Sequence, residues 1–453
     1  MDMLCILQKE QKDRHIENGW WFPVMYFLLA GLSFNSLTAG RPWMKWLIAG
    51  TAICGGALLL WRLLHWKEYR RMPGLLLWIL FFSSYALSSL LNASYGIREN
   101  LEAMVWLGLQ LFVLYPHRQD DVEKGWKAEE RFSMVIVLYT TVQALVSLAM
   151  LSVGYGGVDS ERGMYIGLQL GRLWGSYSDP NYGAILSCVS ILCSFWLIRR
   201  TGKKKVLLFA HIGLQYLYII FSYSRSGQVC LAASVGITFL CYWPQISGGI
   251  KRKLLLLALV AVIVGPACGW IRDGYNQLHL TVYAAEYQEK KDGLHREDEL
   301  EEDITNGRLA TWKDGLEVWK ANPIFGISYR NIAPYMQETF PDASMVNREY
   351  HLNTFHNMLI DVAVSQGSVG LILVLAAVCF LFRRFISMFS QWKDEDFLLR
   401  IIPALIVITI GIGSMFVSDI FYINTPTSVA FWFFLGRFWW RKRDFFSDRG
   451  CNV

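Results

Sequence analysis

Four groups of polar residues in this hydrophobic chain combine side chains that could do chemistry together. Arginine binds phosphate through a planar fork of N–H donors, and histidine accepts a proton near neutral pH. These residue types predict a site where arginines hold a phosphate group and a histidine acts as general base. The groups are, in chain order, Arg172 with Asp179-Pro180-Asn181, Ser224-Arg225-Ser226-Gly227, Arg308, and His356-Asn357.

Each of the first three groups also has a structural explanation. Asp179-Pro180-Asn181 is a turn signal in which Asp179 or Asn181 can cap the following helix. Arg225 lies on a very short connection between apolar segments, where it can extend to lipid headgroups or bind a carboxylate or phosphate. Arg308 at a helix N-terminus opposes the helix dipole unless an anion binds there too, and it can also be a solvated surface residue.

His356 lies where a long polar segment returns to an apolar one. A single histidine near a membrane interface is usually structural, but it is also the residue type best suited to accept a proton. Asp361 follows five positions later, a spacing that is poor for direct pairing on a helix. Asp419, on the last outer connection, is a candidate partner for Arg225 or Arg308.

Apolar segments must position these residues. The chain has 453 residues, of which 54% are hydrophobic and only 18% are charged, and this balance is typical of a membrane protein. We therefore predict an all-α polytopic membrane protein with about 12 transmembrane helices. The predicted spans are 20–39, 43–64, 73–91, 101–115, 132–153, 182–198, 206–222, 227–243, 254–271, 356–382, 398–417 and 425–440.

The short connections between these spans are alternately basic and nearly free of charge. Basic runs include RRTGKKK at 199–205, KRK at 251–253 and RKR at 441–443. Because basic connections remain in the cytoplasm, both termini are predicted to be cytoplasmic. The four polar groups and the long polar segment at 272–355 then lie on the outer side.

The predicted organisation has three parts: spans 1 to 9 in residues 1–271, an outer loop at 272–355, and spans 10 to 12 with a cytoplasmic tail at 356–453. Within the loop, residues 284–303 are almost wholly polar and predict a solvated arm. Residues 305–321 predict an amphipathic helix, which Thr305 or Asn306 can cap and which lies on the membrane surface or the bundle. Its apolar stripe consists of Leu309, Trp312, Leu316 and Trp319.

Composition argues against several other classes of protein. The net charge of +6 comes from basic residues at span ends and does not indicate nucleic-acid binding. The nine cysteines lie in apolar runs or in the tails, which argues against a disulfide or a Cys-based metal site in the outer loop. Residues 1–19 are polar, so no cleavable signal peptide is expected. An outward site has no access to nucleotide sugars, so its donor must be activated and delivered by the membrane, as a lipid diphosphate is.

In this order, and with a long outer loop before the tenth span, the four groups resemble the O-antigen ligase and Wzy-type polymerase superfamily over roughly residues 165–375. The family more usually has Gly-x-Gly where this chain has Gly326-Ile327-Ser328. The elements that carry the resemblance are Gly175 through Asn181, Ser224 to Gly227, Arg308 with Trp312 and then Pro323-Ile324-Phe325-Gly326-Ile327, and His356-Asn357 followed by Gly367 and Gly370.

The resemblance implies a metal-independent, inverting glycosyltransferase of the lipid-dependent (GT-C-like) class in the bacterial cytoplasmic membrane, with no cofactor. Its partners would be an undecaprenyl-diphosphate-linked glycan, an acceptor glycan or lipid, and membrane lipids. His356 matches the presumed base, and Arg225 and Arg308, with Arg172, are the expected ligands of the diphosphate. The residues expected to support them are Asp179, Asn181, Asn357 and Asp419.

Two alternatives stay open. A polymerase joins repeat units to each other, whereas a ligase moves finished glycan to another acceptor such as a lipid A core, and the motifs do not separate the two. The polymerase is slightly favoured, because nothing in the sequence specifies a lipopolysaccharide partner. A transporter of lipid-linked glycan or solute also suits twelve spans. The long outer loop and the concentration of polar residues on one face argue against transport.

Overall fold

The computed structural model describes residues 21–70, 72–115, 122–246, 248–283, 307–347 and 353–440. These ranges are mostly helical, as predicted. The helices are α1 (Trp21–Ser33), α2 (Met44–Leu64), α3 (Trp66–Tyr69), α4 (Leu75–Leu91), α5 (Ala93–Leu109, continued by a π-helix at Gln110–Leu114), α6 (Val122–Ser152), α7 (Pro180–Thr201), α8 (Lys205–Phe221), α9 (Arg225–Tyr242), α10 (Ile250–Val264), α11 (Pro266–Tyr283), α12 (Arg308–Ala321), α13 (Ile332–Thr339), α14 (Met358–Met388), α15 (Phe397–Gly413) and α16 (Pro426–Trp440).

Every predicted span coincides with a helix, and the ninth is divided into α10 and α11 at Gly265. The described ranges contain five long apolar helical stretches and four shorter apolar helices. The chain is therefore a multi-pass membrane protein. The exact number of spans stays a prediction. Within those ranges, five helical stretches are long and apolar enough to cross a membrane: Met44–Leu64, Glu123–Ser152, Pro180–Thr201, Ile250–Leu278 and Met358–Gln391.

Some predictions concern residues outside the described ranges. These are the polar arm at 284–303, the proposed cap at Thr305 or Asn306, and both tails. The amphipathic helix predicted at 305–321 is present as α12, which begins at Arg308. α11 extends beyond residue 271, the predicted end of the ninth span, as far as Tyr283.

A small antiparallel sheet between α6 and α7 is absent from the all-α prediction. Its strands β1 (Gly156–Asp159), β2 (Met164–Gln169) and β3 (Arg172–Gly175) pair in sequence order. The β1–β2 turn is closed by Arg162, whose Nε donates to Asp159 Oδ2 at 2.8 Å. Because β3 begins at Arg172 and leads directly to the start of α7, the sheet positions one of the predicted site residues.

α7 is the central helix of the bundle and packs against α6, α8, α9 and α15. Its small polar residues are buried, which permits close approach of neighbouring helices. Two of them are also paired: Ser187 Oγ donates to Gln215 Oε1 at 2.8 Å, and Ser190 Oγ lies 2.7 Å from His211 Nε2. These contacts join α7 to α8 below the end of α7 where the predicted site begins.

α14 is broken at Gly367, whose φ of 63° and ψ of −160° leave the helical region. A break inside an apolar helix frees backbone groups that require other partners in a membrane. The segment 323–328 supplies these partners. The hydrogen bonds across the break run from Ile327 N to Val364 O (2.9 Å), from Ser328 N to Ser365 O (2.9 Å) and from Ser368 N to Pro323 O (2.7 Å).

Two glycines allow this backbone contact. A Cβ on Gly326 would lie 2.3 Å from Val364 O, and a Cβ on Gly367 would lie 2.2 Å from Ile324 O. Both glycines also have positive φ, which other residues adopt only with strain. The Pro323 to Gly326 motif and the distant Gly367 therefore form one structural unit, which fixes the first part of α14 relative to the segment that follows α12.

Candidate active site

The hairpin between α8 and α9 presents Arg225. Ser224 is the N-cap of α9, and its hydroxyl accepts a hydrogen bond from Gly227 N at 3.0 Å. Tyr223 turns the chain with a left-handed φ of 49°. A Cβ on Gly227 would lie 2.4 Å from Ala184 Cβ, so glycine lets α9 approach α7. The Ser-Arg-Ser-Gly motif thus caps the helix and makes Arg225 its first residue.

Arg172 lies beneath this hairpin and is only 7% exposed. Its Nε donates to the Ser222 carbonyl oxygen at 2.9 Å, and a terminal nitrogen donates to Asn181 Oδ1 at 3.1 Å. Asn181 Oδ1 also accepts from Ser224 Oγ at 2.9 Å. Arg172 and Asn181 therefore brace the hairpin that carries Arg225, and the predicted contact of Arg172 with a diphosphate stays a prediction.

Asp179 is the cap of α7, one of the two alternatives left open for this turn. Its carboxylate accepts a hydrogen bond from Asn181 N at 2.6 Å, and Pro180 occupies the first helical position. The predicted helix cap is confirmed. The side chain of Asn181 does not cap the helix and instead joins Arg172 to Ser224.

Arg308 is the first residue of α12 and follows Gly307, which has a φ of 70°. Its guanidinium lies 5.8 Å from the centre of the Phe416 ring, in the connection between α15 and α16. Arg225 and Arg308 therefore share one local setting, the first position of a helix. The positive end of a helix dipole favours an anion at both positions.

The buried face of α12 differs from the predicted apolar stripe. Thr311, Gly315 and Val318 are buried, whereas Leu309 is 59% exposed and Leu316 is 42% exposed. A Cβ on Gly315 would lie 2.5 Å from a methyl carbon of Ile360, because α12 packs directly on the first turn of α14. Small residues decide the buried face here because they permit that close approach.

His356 occupies the turn immediately before α14, and its φ is 53°, in the left-handed region. Its backbone N donates to Thr354 Oγ1 at 3.1 Å. The next residue, Asn357, caps α14, and its side-chain oxygen accepts from Leu359 N at 3.0 Å and Ile360 N at 3.3 Å. His356 is half-buried at the N-terminal end of this helix.

The connection between α15 and α16 contacts both the His356 turn and the start of α7. Met358 N donates to Ser414 O at 2.8 Å, which joins the His356 turn to the end of α15. The Ser418 hydroxyl lies 2.6 Å from Thr354 Oγ1, and the Ser418 carbonyl accepts from the Tyr182 hydroxyl at 2.9 Å. Since Tyr182 follows Asn181 and Thr354 precedes His356 by two residues, this connection lies between the Arg225 hairpin and the His356 turn.

Asp419 is fully buried in the same connection. The Thr425 hydroxyl donates to its carboxylate, while Oδ2 has no hydrogen-bond partner in the described part of the chain. The pKa of Asp419 is raised to about 7, mainly by burial. The hydrogen bonds from Thr425 and Thr427 oppose this rise, and the charge of Asp179 adds to it. Pairing of Asp419 with Arg225 or Arg308 stays a prediction.

Ser328 occupies the position where the resembling family more usually has glycine. It keeps a φ of 68° and a ψ of 149°, a conformation that strains an L-residue. Its buried hydroxyl donates to Asn100 Oδ1 at 2.6 Å and lies 2.8 Å from Ser89 Oγ. The turn is therefore preserved without glycine, because hydrogen bonds to α4 and α5 hold the serine in place.

Sequence reasoning missed the position of three polar residues beside His356. Thr354 and Ser418 had no motif to mark them, and Asp361 was named but set aside, because its spacing from His356 is poor for pairing within a helix. The available signal was Asn357, a good N-cap residue. It implies that the residues before it are not helical, so helical spacing does not govern contacts of Asp361 with them.

Sequence matches to known proteins include several of these residues. Residues 206–375 match the family described as O-antigen ligase, and that range contains Arg225, Arg308 and His356. The chain is 23% identical over 234 residues to the exopolysaccharide production protein ExoQ of Rhizobium meliloti (strain 1021). That match covers 49% of this chain and about half the length of the relative. Both matches support the similarity of this chain to the O-antigen ligase and Wzy-type polymerase superfamily.

Proposed function

We propose that the protein is a glycosyltransferase that moves glycan from undecaprenyl diphosphate to an acceptor sugar hydroxyl during surface polysaccharide assembly. The reaction takes place at the outer face of the bacterial cytoplasmic membrane, with both termini of the chain in the cytoplasm. The observation that carries this proposal is that one connection, between α15 and α16, lies under Arg308 and contacts the His356 turn, and is linked through Tyr182 and Asn181 to the hairpin that carries Arg225.

Arg225 and Arg308 hold the diphosphate in this proposal. A guanidinium binds phosphate oxygens in a bidentate, planar way, and a helix N-terminus adds N–H donors and a favourable dipole. The two arginines also stabilise the negative charge that develops on the leaving diphosphate. Arg172 supports Arg225 indirectly, because two of its nitrogens donate to the hairpin and to Asn181.

His356 is the general base. The acceptor hydroxyl attacks the anomeric carbon as the bond from that carbon to the diphosphate oxygen breaks. The hydroxyl proton passes to His356, and the electron pair of the broken bond leaves with undecaprenyl diphosphate. A single displacement of this kind inverts the anomeric centre.

The proposed reaction is metal-independent, since the arginines supply the positive charge. Within the described ranges, no group of three or more His, Cys, Asp or Glu side chains is arranged to hold a metal ion. A membrane glycan donor would reach the site sideways from the lipid, and the acceptor would arrive from outside.

The acceptor defines two versions of the proposal. The name of the relative, exopolysaccharide production protein, favours a polymerase that extends a chain of repeat units. The family description, O-antigen ligase, favours transfer of finished glycan to a different acceptor such as a lipid A core. We favour the polymerase, because no residue of the site specifies a lipopolysaccharide acceptor.

Purified protein in liposomes with a lipid-linked repeat unit tests the proposal. We expect longer lipid-linked products and release of undecaprenyl diphosphate, without added metal and in the presence of a chelator. Products formed only after addition of lipid A core would identify a ligase. Accumulation of the repeat unit inside the liposomes, with every glycosidic bond unchanged, would instead identify a transporter and refute the proposed chemistry.

A further inference from the structure

Asp361 lies in the first turn of α14 with only 1% of its surface exposed. Burial of a carboxylate is unfavourable unless hydrogen bonds satisfy its oxygens. Three donors do so here. Phe355 N donates to Oδ1 at 2.8 Å, Thr354 Oγ1 donates to Oδ2 at 2.7 Å, and the Ser418 hydroxyl donates to Oδ2.

These donors share a location. Two come from the residues immediately before His356, and the third comes from the connection between α15 and α16. Thr354 Oγ1 in turn accepts from His356 N at 3.1 Å. The carboxylate therefore reaches His356 through one hydroxyl, although the two residues are not paired along a helix.

The His356 backbone needs such support. Its φ of 53° is in the left-handed region, where a non-glycine residue is strained and persists only when its surroundings determine it. Helix capping does not explain Asp361, because Asn357 already accepts the hydrogen bonds from the first free N–H groups of α14. The hydrogen bonds of Asp361 instead determine the turn.

We propose that Asp361 is a positioning residue for His356: its buried carboxylate holds the 354–356 turn against Ser418 and so aims the imidazole at the acceptor. This inference rests on the proposed function for the role of His356 in transfer. Asp361 touches no substrate and acts through Thr354 and the Phe355 backbone.

The Asp361→Asn variant tests this role, because asparagine keeps the size but replaces one acceptor oxygen with an N–H donor. We expect kcat to fall roughly 10- to 100-fold, because a small misplacement of a catalytic group has effects of that order. KM for the lipid-linked donor should change by less than about twofold, since the arginines are untouched. Yield of folded protein and its thermal midpoint should stay close to those of the wild type.

Thr354 supplies the second variant and a rescue. Thr354→Val removes the hydroxyl and should lower kcat as Asp361→Asn does, whereas Thr354→Ser keeps the hydroxyl and should retain activity. The double variant Asp361→Asn/Thr354→Val should be no slower than the worse single variant, because Thr354 supports the turn through its contact with Asp361. Additive losses would show that the two residues act separately, and they would overturn the proposal.

Ser365→Ala is the matched control, since Ser365 is a buried residue of the same helix whose hydroxyl has no partner in the described ranges. A readout independent of transfer is the rate at which diethyl pyrocarbonate modifies His356, measured against His65 in the same sample. Asp361→Asn should raise that rate, and Ser365→Ala should not.

The outcomes separate the two proposals. A wild-type protein that transfers no glycan counts against the proposed function, while the modification rate still decides whether Asp361 holds the His356 turn. Wild-type kcat together with an unchanged modification rate in Asp361→Asn overturns the positioning role. If Asp361→Asn does not fold and Thr354→Val does, the test uses Thr354→Val. A kcat of Thr354→Val equal to that of the wild type would then overturn the positioning role.

Discussion

The Tyr182 hydroxyl donates a hydrogen bond to the Ser418 carbonyl oxygen at 2.9 Å. This bond joins two parts of the site that lie far apart in the chain. On one side Tyr182 follows Asn181, which braces the Arg225 hairpin, and on the other Ser418 contacts Thr354 beside His356. Phe416, two residues before Ser418, lies under the Arg308 guanidinium. The connection between α15 and α16 is therefore the common support of the proposed site.

Replacing His356 by Ala should reduce glycan transfer by about 10²- to 10⁴-fold, the range expected for loss of a general base. Transfer is measured as product formed per folded protein in liposomes. The matched control is His65→Ala, because His65 is exposed and lies at the end of α2, far in the chain from the site motifs. Wild-type product from the His356 variant would remove this residue from the mechanism.

Arg225→Lys and Arg308→Lys keep the positive charge but lose the planar fork. KM for the lipid-linked donor should rise by roughly tenfold in each, because lysine makes a single-point contact with phosphate. Arg330→Lys, at an exposed residue of the outer segment, should leave KM unchanged. KM values for Arg225→Lys and Arg308→Lys that equal those of Arg330→Lys and the wild type would argue against a bidentate clamp.

Gly326→Ala and Gly367→Ala should both destabilise the protein, by roughly 2–4 kcal/mol, because the added Cβ meets backbone atoms and φ is positive. The thermal midpoint in detergent measures the effect. Gly236→Ala is the control, since it lies inside α9 with open space around it and alanine favours the helix. A midpoint for Gly367→Ala that equals the control would mean that α14 is not broken there.

Ser328 allows a test of its unusual backbone conformation. Ser328→Gly relieves strain of about 1–2 kcal/mol while losing the hydroxyl contacts with Asn100 and Ser89. Ser328→Ala loses the same contacts and keeps the strain. The glycine variant should therefore have the higher thermal midpoint, which is the reverse of the usual order of alanine and glycine. The opposite order would mean that Ser328 has an ordinary negative φ.

Asp419 predicts a dependence of stability on pH. Burial raises the pKa of Asp419 from 3.8 to about 7. At pH values between these two, the folded protein therefore keeps a proton that the unfolded chain has lost. This contribution to stability is present below pH 4 and is lost as pH rises through 7. The difference is expected at roughly a few kcal/mol, since each pKa unit corresponds to about 1.4 kcal/mol.

Asp419→Asn should abolish that part of the pH dependence, measured as the change in thermal midpoint between pH 5 and pH 8. The control is Asp159→Asn, because the hydrogen bond from Arg162 lowers the pKa of Asp159 and its carboxyl is ionised throughout this range. An Asp419→Asn variant whose thermal midpoint falls between pH 5 and pH 8 by as much as that of the wild type would contradict the prediction.

The sequence by itself determined the helices and their caps. Long apolar runs separated by basic connections predicted where the chain forms membrane helices, since a backbone in lipid must satisfy its own hydrogen bonds. The cap at Asp179 was predicted because it involves a residue only two positions away, and the cap at Asn357, which was not predicted, is equally local. The residue types of the motifs, arginine and histidine, likewise indicated the class of chemistry.

Only the tertiary structure decided how those residues are used. Arg172 is drawn beneath the hairpin by Ser222 and Asn181, and the buried face of α12 includes Thr311, Gly315 and Val318 while the leucines of its apolar stripe are exposed. The contact of Gly326 with the break at Gly367 joins segments about forty residues apart. Such arrangements depend on close approach between distant segments and on left-handed backbone conformations, and neither leaves a periodic signal in the chain.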